Sequence, residues 1–229
     1  MVSPRLVAFG ALFVLAAPAA WAAELGGSAT ITSDYVWRGT SQTEGDPALQ
    51  AGMKIASARG LYASAWGSNV AFAPGLDAST EMDLALGWAA SPGDAWGFDA
   101  YVLQYRYPST TVNLDWVEWN ATVNYRDRVS VSVGWSHQAL GSDGPGTYLQ
   151  VGGRKPIRDA FRFEATLAHY FLDDAIGGSY SFGNASAIWS LRAPFELRVT
   201  AHATDGDART LFGDDVAGSR IEAALQASF

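Results

Sequence analysis

The sequence predicts an all-β fold, a single closed antiparallel transmembrane β-barrel of about twelve strands. Three observations predict it: a carboxy-terminal segment of strict period two, an export-type leader, and connections that alternate in length and charge. In residues 220–229, Ile221, Ala223, Leu225, Ala227 and Phe229 share one face, while Arg220, Glu222, Ala224, Gln226 and Ser228 share the other. A period of two is an extended strand with one apolar and one largely polar side. In a soluble sandwich or lipocalin-like barrel the apolar side faces a core. In a membrane barrel it faces lipid, and the polar side faces the lumen.

The amino terminus favours the membrane. Residues 1–22 read as a secretory signal peptide and residues 23–229 as the barrel. Arg5 supplies the positive charge, residues 6–17 the apolar stretch, Pro18 a helix break and Ala20-Trp21-Ala22 a small-x-small site, with cleavage after Ala22 or Ala23. As a membrane anchor the apolar stretch falls short of the ~20 residues required, and proline interrupts it. The chain has no cysteine, so no lipid can be attached through an N-terminal thiol. That composition also suits an oxidising compartment. Nothing after residue 23 resembles a membrane helix, so entry into a bilayer requires a barrel whose backbone groups are all internally paired. The expected location is the outer membrane of a Gram-negative bacterium, with lipid and lipopolysaccharide around the wall.

Strands are expected near 28–38, 48–57, 61–72, 80–89, 97–107, 116–125, 128–138, 147–155, 161–172, 179–190, 195–204 and 219–229. Most have the ~9–11 residues that cross a bilayer when tilted. The clearest apolar faces are Met82/Leu84/Leu86/Trp88, Val117/Trp119/Ala121/Val123/Tyr125, Val129/Val131/Val133/Trp135 and Leu197/Val199/Ala201/Ala203, each opposite a polar face. Alternation is weakest at 147–155 and 179–190. Aromatics near strand ends (Tyr35, Trp37, Trp66, Trp88, Trp96, Tyr105, Tyr107, Trp116, Trp135, Trp189) suit interfacial girdles, against the plainer alternative of core packing.

Longer links at 39–47, 73–79, 108–115, 139–146, 173–178 and 205–218 alternate with short ones such as Ala58-Arg59-Gly60 and Arg126-Asp127. This is the asymmetry of external loops against periplasmic turns, and an even strand count puts both termini on the periplasmic side. The long links are acidic, carrying Glu44, Asp46, Asp77, Asp115, Asp143, Asp173, Asp174, Asp205, Asp207, Asp214 and Asp215 against the single base Arg209. Acidic loops either are simply solvated or enrich cations at a pore mouth. Without Arg5, 14 of the 15 basic residues face 23 acids, a net charge of −9 that argues against nucleic acid as a partner.

Parity places Asp34, Arg38, Lys54, Glu81, Asp83, Arg106, Glu118, Arg154, Arg162, Glu164, Glu196, Arg198, Arg220 and Glu222 in the lumen, seven acids and seven bases. A charge on the lipid face costs roughly 2–4 kcal/mol at midplane, so confinement to one parity is informative. Gly52, Gly67, Ala85, Gly87, Ser130, Ser132 and Gly134 are expected to leave free volume. Eight strands give a filled interior and sixteen an aqueous channel; twelve lies between. The expected function is a narrow pore for passive diffusion of small polar solutes, and the alternative is a structural barrel plugged by ion pairs.

Catalysis finds little support. His137, His169 and His202 fall on different strands, and Ser136 next to His137 points to the opposite face. Glu81 and Asp83 share a face and could act as an acid/base pair or as metal ligands, but lumen charges account for them more simply. Gly144-Pro145-Gly146 and Gly177-Gly178 are turn punctuation. No catalytic residue, metal or cofactor is expected. An adhesive or anchoring role lacks any expected periplasmic module.

The first half resembles a family of bacterial outer-membrane porins labelled TorF-like. The resemblance rests on residues 32–42 (Thr-Ser-Asp-Tyr-Val-Trp-Arg-Gly-Thr-Ser-Gln), 45–52, 60–70, 80–84 and 105–108. Ala51 stands where the family pattern usually has a second glycine. The resemblance implies an outer-membrane barrel far more than any substrate. A final strand closing on Phe229 also resembles the signal read by the machinery that assembles outer-membrane barrels, with Leu225 on its apolar face. Deleting Phe229 is expected to lower membrane-inserted protein with little effect on export, measured by cell fractionation; unchanged insertion contradicts the signal.

Overall fold

Period-two alternation gives a strand two unlike faces, and a run of such strands can pair all its backbone groups only by closing on itself. The computed structural model, which describes residues 23–72, 75–108 and 110–229, shows that closure. The strands in chain order are β1 (Ala23–Thr32), β2 (Val36–Trp37), β3 (Thr40–Ser41), β4 (Ala48–Ser57), β5 (Leu61–Asn69), β6 (Thr80–Ala90) and β7 (Trp96–Arg106). They continue as β8 (Trp116–Tyr125), β9 (Val129–Ser136), β10 (Gly146–Arg158), β11 (Phe161–Phe171), β12 (Tyr180–Ser190), β13 (Phe195–Thr204) and β14 (Arg220–Ser228). Twelve of them form one closed barrel in which every neighbour is antiparallel, and β2 and β3 form a separate two-stranded hairpin. The seam lies at β1, which pairs with β4 from Ala23↔Ser57 to Thr32↔Ala48 and with β14 from Ser28↔Ser228 to Thr32↔Ala224. Phe229 completes the seam through two backbone hydrogen bonds with Gly27, of 2.6 and 2.9 Å. The signal segment lies outside the described residues.

The wall strands match the expected ones within a few residues, apart from the first and the eighth. β1 runs from Ala23 to Thr32 rather than from 28 to 38. Beyond Thr32 the alternation continues in the sequence, yet the chain turns inward. Arg38 (φ +46°) and Gly39 (φ +84°) adopt left-handed backbone and form the tip between β2 and β3. A Cβ on Gly39 would stand 2.8 Å from Phe182 Cβ and 2.7 Å from Thr204 Cγ2, so only glycine lets the tip approach the far wall so closely. β10 extends to Arg158, with a register irregularity between Pro156 and Arg158. The long links carry short helices, α1 (Asp173–Ile176) and α2 (Gly206–Phe212); Asp205 caps α2 through Ala208 N.

The hydrophobic distribution is inverted. Leu49, Leu86, Leu167 and Ile221 expose 67–74% of their surface, whereas Tyr170 and Ile188, pointing inward, expose none. Burying a Leu or Ile side chain is worth roughly 1.5–3 kcal/mol, so this wall is at rest only against hydrocarbon. Leu225→Arg on the outward face is therefore expected to impair insertion into vesicles more than Gln226→Arg on the inward face; equal effects would mean that the faces are assigned the wrong way round.

Candidate functional site

Trp88, Trp96, Trp135 and Trp189 are outward and about half exposed, as a girdle requires. Tyr35, Trp66, Tyr105 and Trp116 instead point inward, a correction to the expected girdle. The inward glycines do not open free volume as expected. A Cβ on Gly87 would meet Tyr62 Cζ at 2.5 Å and Tyr101 Cβ at 2.7 Å, and one on Gly134 would meet Glu118 Cδ at 3.0 Å. Large side chains lie over small ones, as in a filled barrel. Gly67, opposite the exposed Met82, faces outward.

What fills the half of the lumen nearer the long links is residues 33–47, the excursion between β1 and β4. Asp34 anchors its root, accepting hydrogen bonds from Ser41 Oγ (2.6 Å), Thr43 Oγ1 (3.1 Å) and Arg220 Nη1 (2.9 Å). Tyr35 packs edge-on against Trp66, and burial and nearby Glu81 hold its hydroxyl well above the usual phenol range. Trp37 stands edge-on to Tyr105, Trp116 and Tyr170. Toward the β12–β14 side, Ser41 N donates to Val216 O (2.8 Å) and Tyr180 Oη to Arg38 O (3.1 Å).

Arg38 at the tip is the centre of this arrangement. Its guanidinium donates to both oxygens of Glu118 on β8, at 2.6 and 2.7 Å, with side-chain exposures of only 9% and 1%. The cation lies 4.1 Å from the ring centre of Tyr148 on β10, 4.4 Å from Trp37 and 4.7 Å from Tyr170 on β11. Burial is the largest single influence and acts to strip its proton, but the charge and hydrogen bonds of Glu118 together with the fields of Tyr105 and Tyr170 outweigh it and hold the group well above its ordinary range. Fork-on-fork geometry and three rings are the strong forms of each interaction.

The half nearer the short turns is wetter. Arg162 pairs with Glu196 and Glu164, and Arg154 and Arg198 both reach Glu164, at 3.5 and 3.4 Å. Their side chains keep 16–40% exposure. On the facing wall Lys54 Nζ sits 3.6 Å above the Tyr62 ring, whose hydroxyl donates to Asp99 at 2.7 Å. Near the long-link end, Glu222 accepts from Thr32 Oγ1 (2.7 Å) and lies 2.9 Å from His202 Nε2.

Of the predicted lumen charges, Lys54, Glu81, Asp83, Glu118, Arg154, Arg162, Glu164, Glu196, Arg198, Arg220 and Glu222 face inward from the wall, and Asp34 and Arg38 reach the lumen on the inward segment. Arg106 is a correction. It lies opposite the outward Met82, is half exposed, and pairs with Asp115 at the rim (3.1 Å). Tyr101, Leu103 and Tyr105 take the inward parity of β7 instead; reading Tyr105 as a girdle aromatic inverts this strand. The same inversion hid Asp99. Glu81 and Asp83, predicted as neighbours, have no basic partner within 4 Å among the described residues, and Asp83 Oδ1 is buried without a hydrogen bond.

The structure also brings together a serine and a histidine the sequence kept apart. His169 Nδ1 lies 2.9 Å from Ser181 Oγ across β11 and β12, on the outward face. No carboxylate is bonded to that ring among the described residues, so the group that would orient a base is missing.

A family described as a bacterial protein of unknown function (Gcw_chp) matches residues 16–182, and the chain belongs to it. None of the curated proteins matches the sequence. Among solved structures, the chain is similar to a KdgM porin, at a TM-score of 0.55 and 9% identity, covering 90% of this chain and 98% of that one. It is similar to a KdgM porin in complex with disordered oligogalacturonate, at 0.54 and 8%, with the same coverage. It is also similar to a NanC porin, at 0.56 and 10%, covering 90% and 99%. At such identities the likeness is one of fold.

Removing one member of the Arg38–Glu118 pair strands the other as a buried charge. Glu118→Ala is expected to cost roughly 3–5 kcal/mol, and Arg38→Met/Glu118→Leu less than the sum of the single changes. Urea unfolding of the micelle-embedded protein, followed by tryptophan fluorescence, measures both; additivity contradicts the coupling.

Proposed function

We propose that this Gcw_chp-family barrel is a bacterial outer-membrane channel of the TorF-like porin kind, passing small polar solutes by passive diffusion and seen here with its outer half closed by residues 33–47. The observation that carries the reading is the hydration gradient. A charged lumen whose arginines and glutamates keep 16–40% exposure leads inward from the short-turn end and stops at a plug that belongs to a loop, not to the wall. A wall that closed the barrel for strength alone would need no hydrated half. The porin likeness, the outward hydrocarbon surface and the seam closed by the last strand support the same reading.

In this setting the long links face outward and the short turns face the periplasm, lipid and lipopolysaccharide surround the wall, and the assembly machinery reads the strand that ends at Phe229. One related structure was solved with oligogalacturonate, a polyanion. A non-conducting barrel is the second reading, favoured by the ion pairs Arg38–Glu118 and Asp34–Arg220 across the plug.

Planar-bilayer recording separates the two. The wild type is expected to show small or brief steps with cation preference, and Asp34→Ala/Arg38→Ala, which frees the plug at root and tip, larger and longer ones. Silence of both proteins overturns the channel.

A further inference from the structure

Arg38 is carried into the barrel on a loop, yet nearly everything that holds its guanidinium belongs to the wall. Glu118 comes from β8, Tyr148 from β10 and Tyr170 from β11; of the contacts that hold the cation, only Trp37 travels with it. Without the plug, the wall presents the Glu118 carboxylate among aromatic rings. Such a box recognises a guanidinium by two marks. A planar fork matches both carboxylate oxygens, and a weakly hydrated cation lies over ring faces. A neutral isostere keeps the shape without the charge, and an ammonium keeps the charge without the fork.

We propose that the outer half of the wall contains a binding site for small guanidinium-type organic cations, and that Arg38 is its built-in occupant. A solute bearing a guanidinium or amidinium group competes with Arg38 for Glu118 and the rings, and so displaces the plug. Tethering gives Arg38 a high effective concentration at the box, so the free solute binds weakly to the wild type and more tightly where Arg38 is gone. The consequence for current rests on the channel reading; the binding itself does not.

The test uses the full barrel in detergent, with folding checked by heat-modifiable gel migration. Methylguanidinium is titrated into Arg38→Ala and Arg38→Gln, with methylurea and methylammonium as controls, and binding is read by calorimetry and tryptophan fluorescence. Saturable binding of methylguanidinium, at least about tenfold tighter than methylurea and lost in Arg38→Ala/Glu118→Gln, is the expected result. Absence of saturable binding in folded variants, or binding indifferent to Glu118→Gln, overturns the proposal. If neither Arg38 variant folds, Ser41→Cys decides with Arg38 and Glu118 both in place, each solute being compared on the same variant, since the chain has no other cysteine and Ser41 is buried. Methylguanidinium, and not methylurea, is then expected to speed modification of Cys at 41 by a charged thiosulfonate, and an unchanged rate overturns the proposal. Intact binding in a protein silent in bilayers overturns only the channel; a conducting protein without binding overturns only this site.

Discussion

The governing constraint is the width of a twelve-strand interior. Closing the sheet pairs the backbone and sorts side chains to two sides, but it also encloses more space than wall side chains of ordinary size can fill. A narrower barrel packs itself, and a wider one stays open to water. This barrel does each in a different half. Near the short turns the space stays partly open around the cluster of Arg154, Arg162, Glu164, Glu196 and Arg198; near the long links it is filled by a loop. The hydrogen bonds of Asp34, the tip glycine and the aromatic contacts of Tyr35 and Trp37 all serve to place that loop in the space.

Packing in the filled half resembles that of a soluble core turned to polar use. Tyr170 and Tyr180 are fully buried, yet the Tyr180 hydroxyl reaches the backbone of the loop. Tyr180 gives ring surface to the interior and a hydrogen bond to a segment that has left the sheet and must satisfy its backbone elsewhere, whereas the Tyr170 hydroxyl is buried without such a bond.

Most of the wall was legible in the sequence because period two is a local property and needs no knowledge of partners. The outward rows at Met82–Trp88, Val117–Tyr125 and Val129–Trp135 are read directly, and so is the even strand count. The inward turn after Thr32 was not legible, because Asp34, Val36 and Arg38 keep alternating as if the strand went on. The signal that breaks the pattern is Gly39, whose role depends on the distant Phe182 and Thr204. Arg106 and Asp99 were misplaced or missed for a related reason. An aromatic near a strand end fits a lipid interface and a loop-filled interior equally well, and Tyr105 took the second role. Of the segments that carry the TorF-like resemblance, the first, 32–42, runs from the end of β1 into the plug, and the others fall largely on the wall.

The choice of a buried ion pair for the plug's tip is informative because stability does not require it. An apolar knob of similar volume would seat among Tyr148, Tyr170 and Trp37 at least as firmly, since desolvating two charges consumes most of what their attraction returns. An apolar plug, however, can leave only by exposing apolar surface, and no hydrophilic solute can take its place. A guanidinium on a carboxylate is a discrete contact that water, salt or another cation can replace one for one. A loop held this way is seated by a contact that a competing cation can replace, which is the property the proposed pathway would need from its stopper.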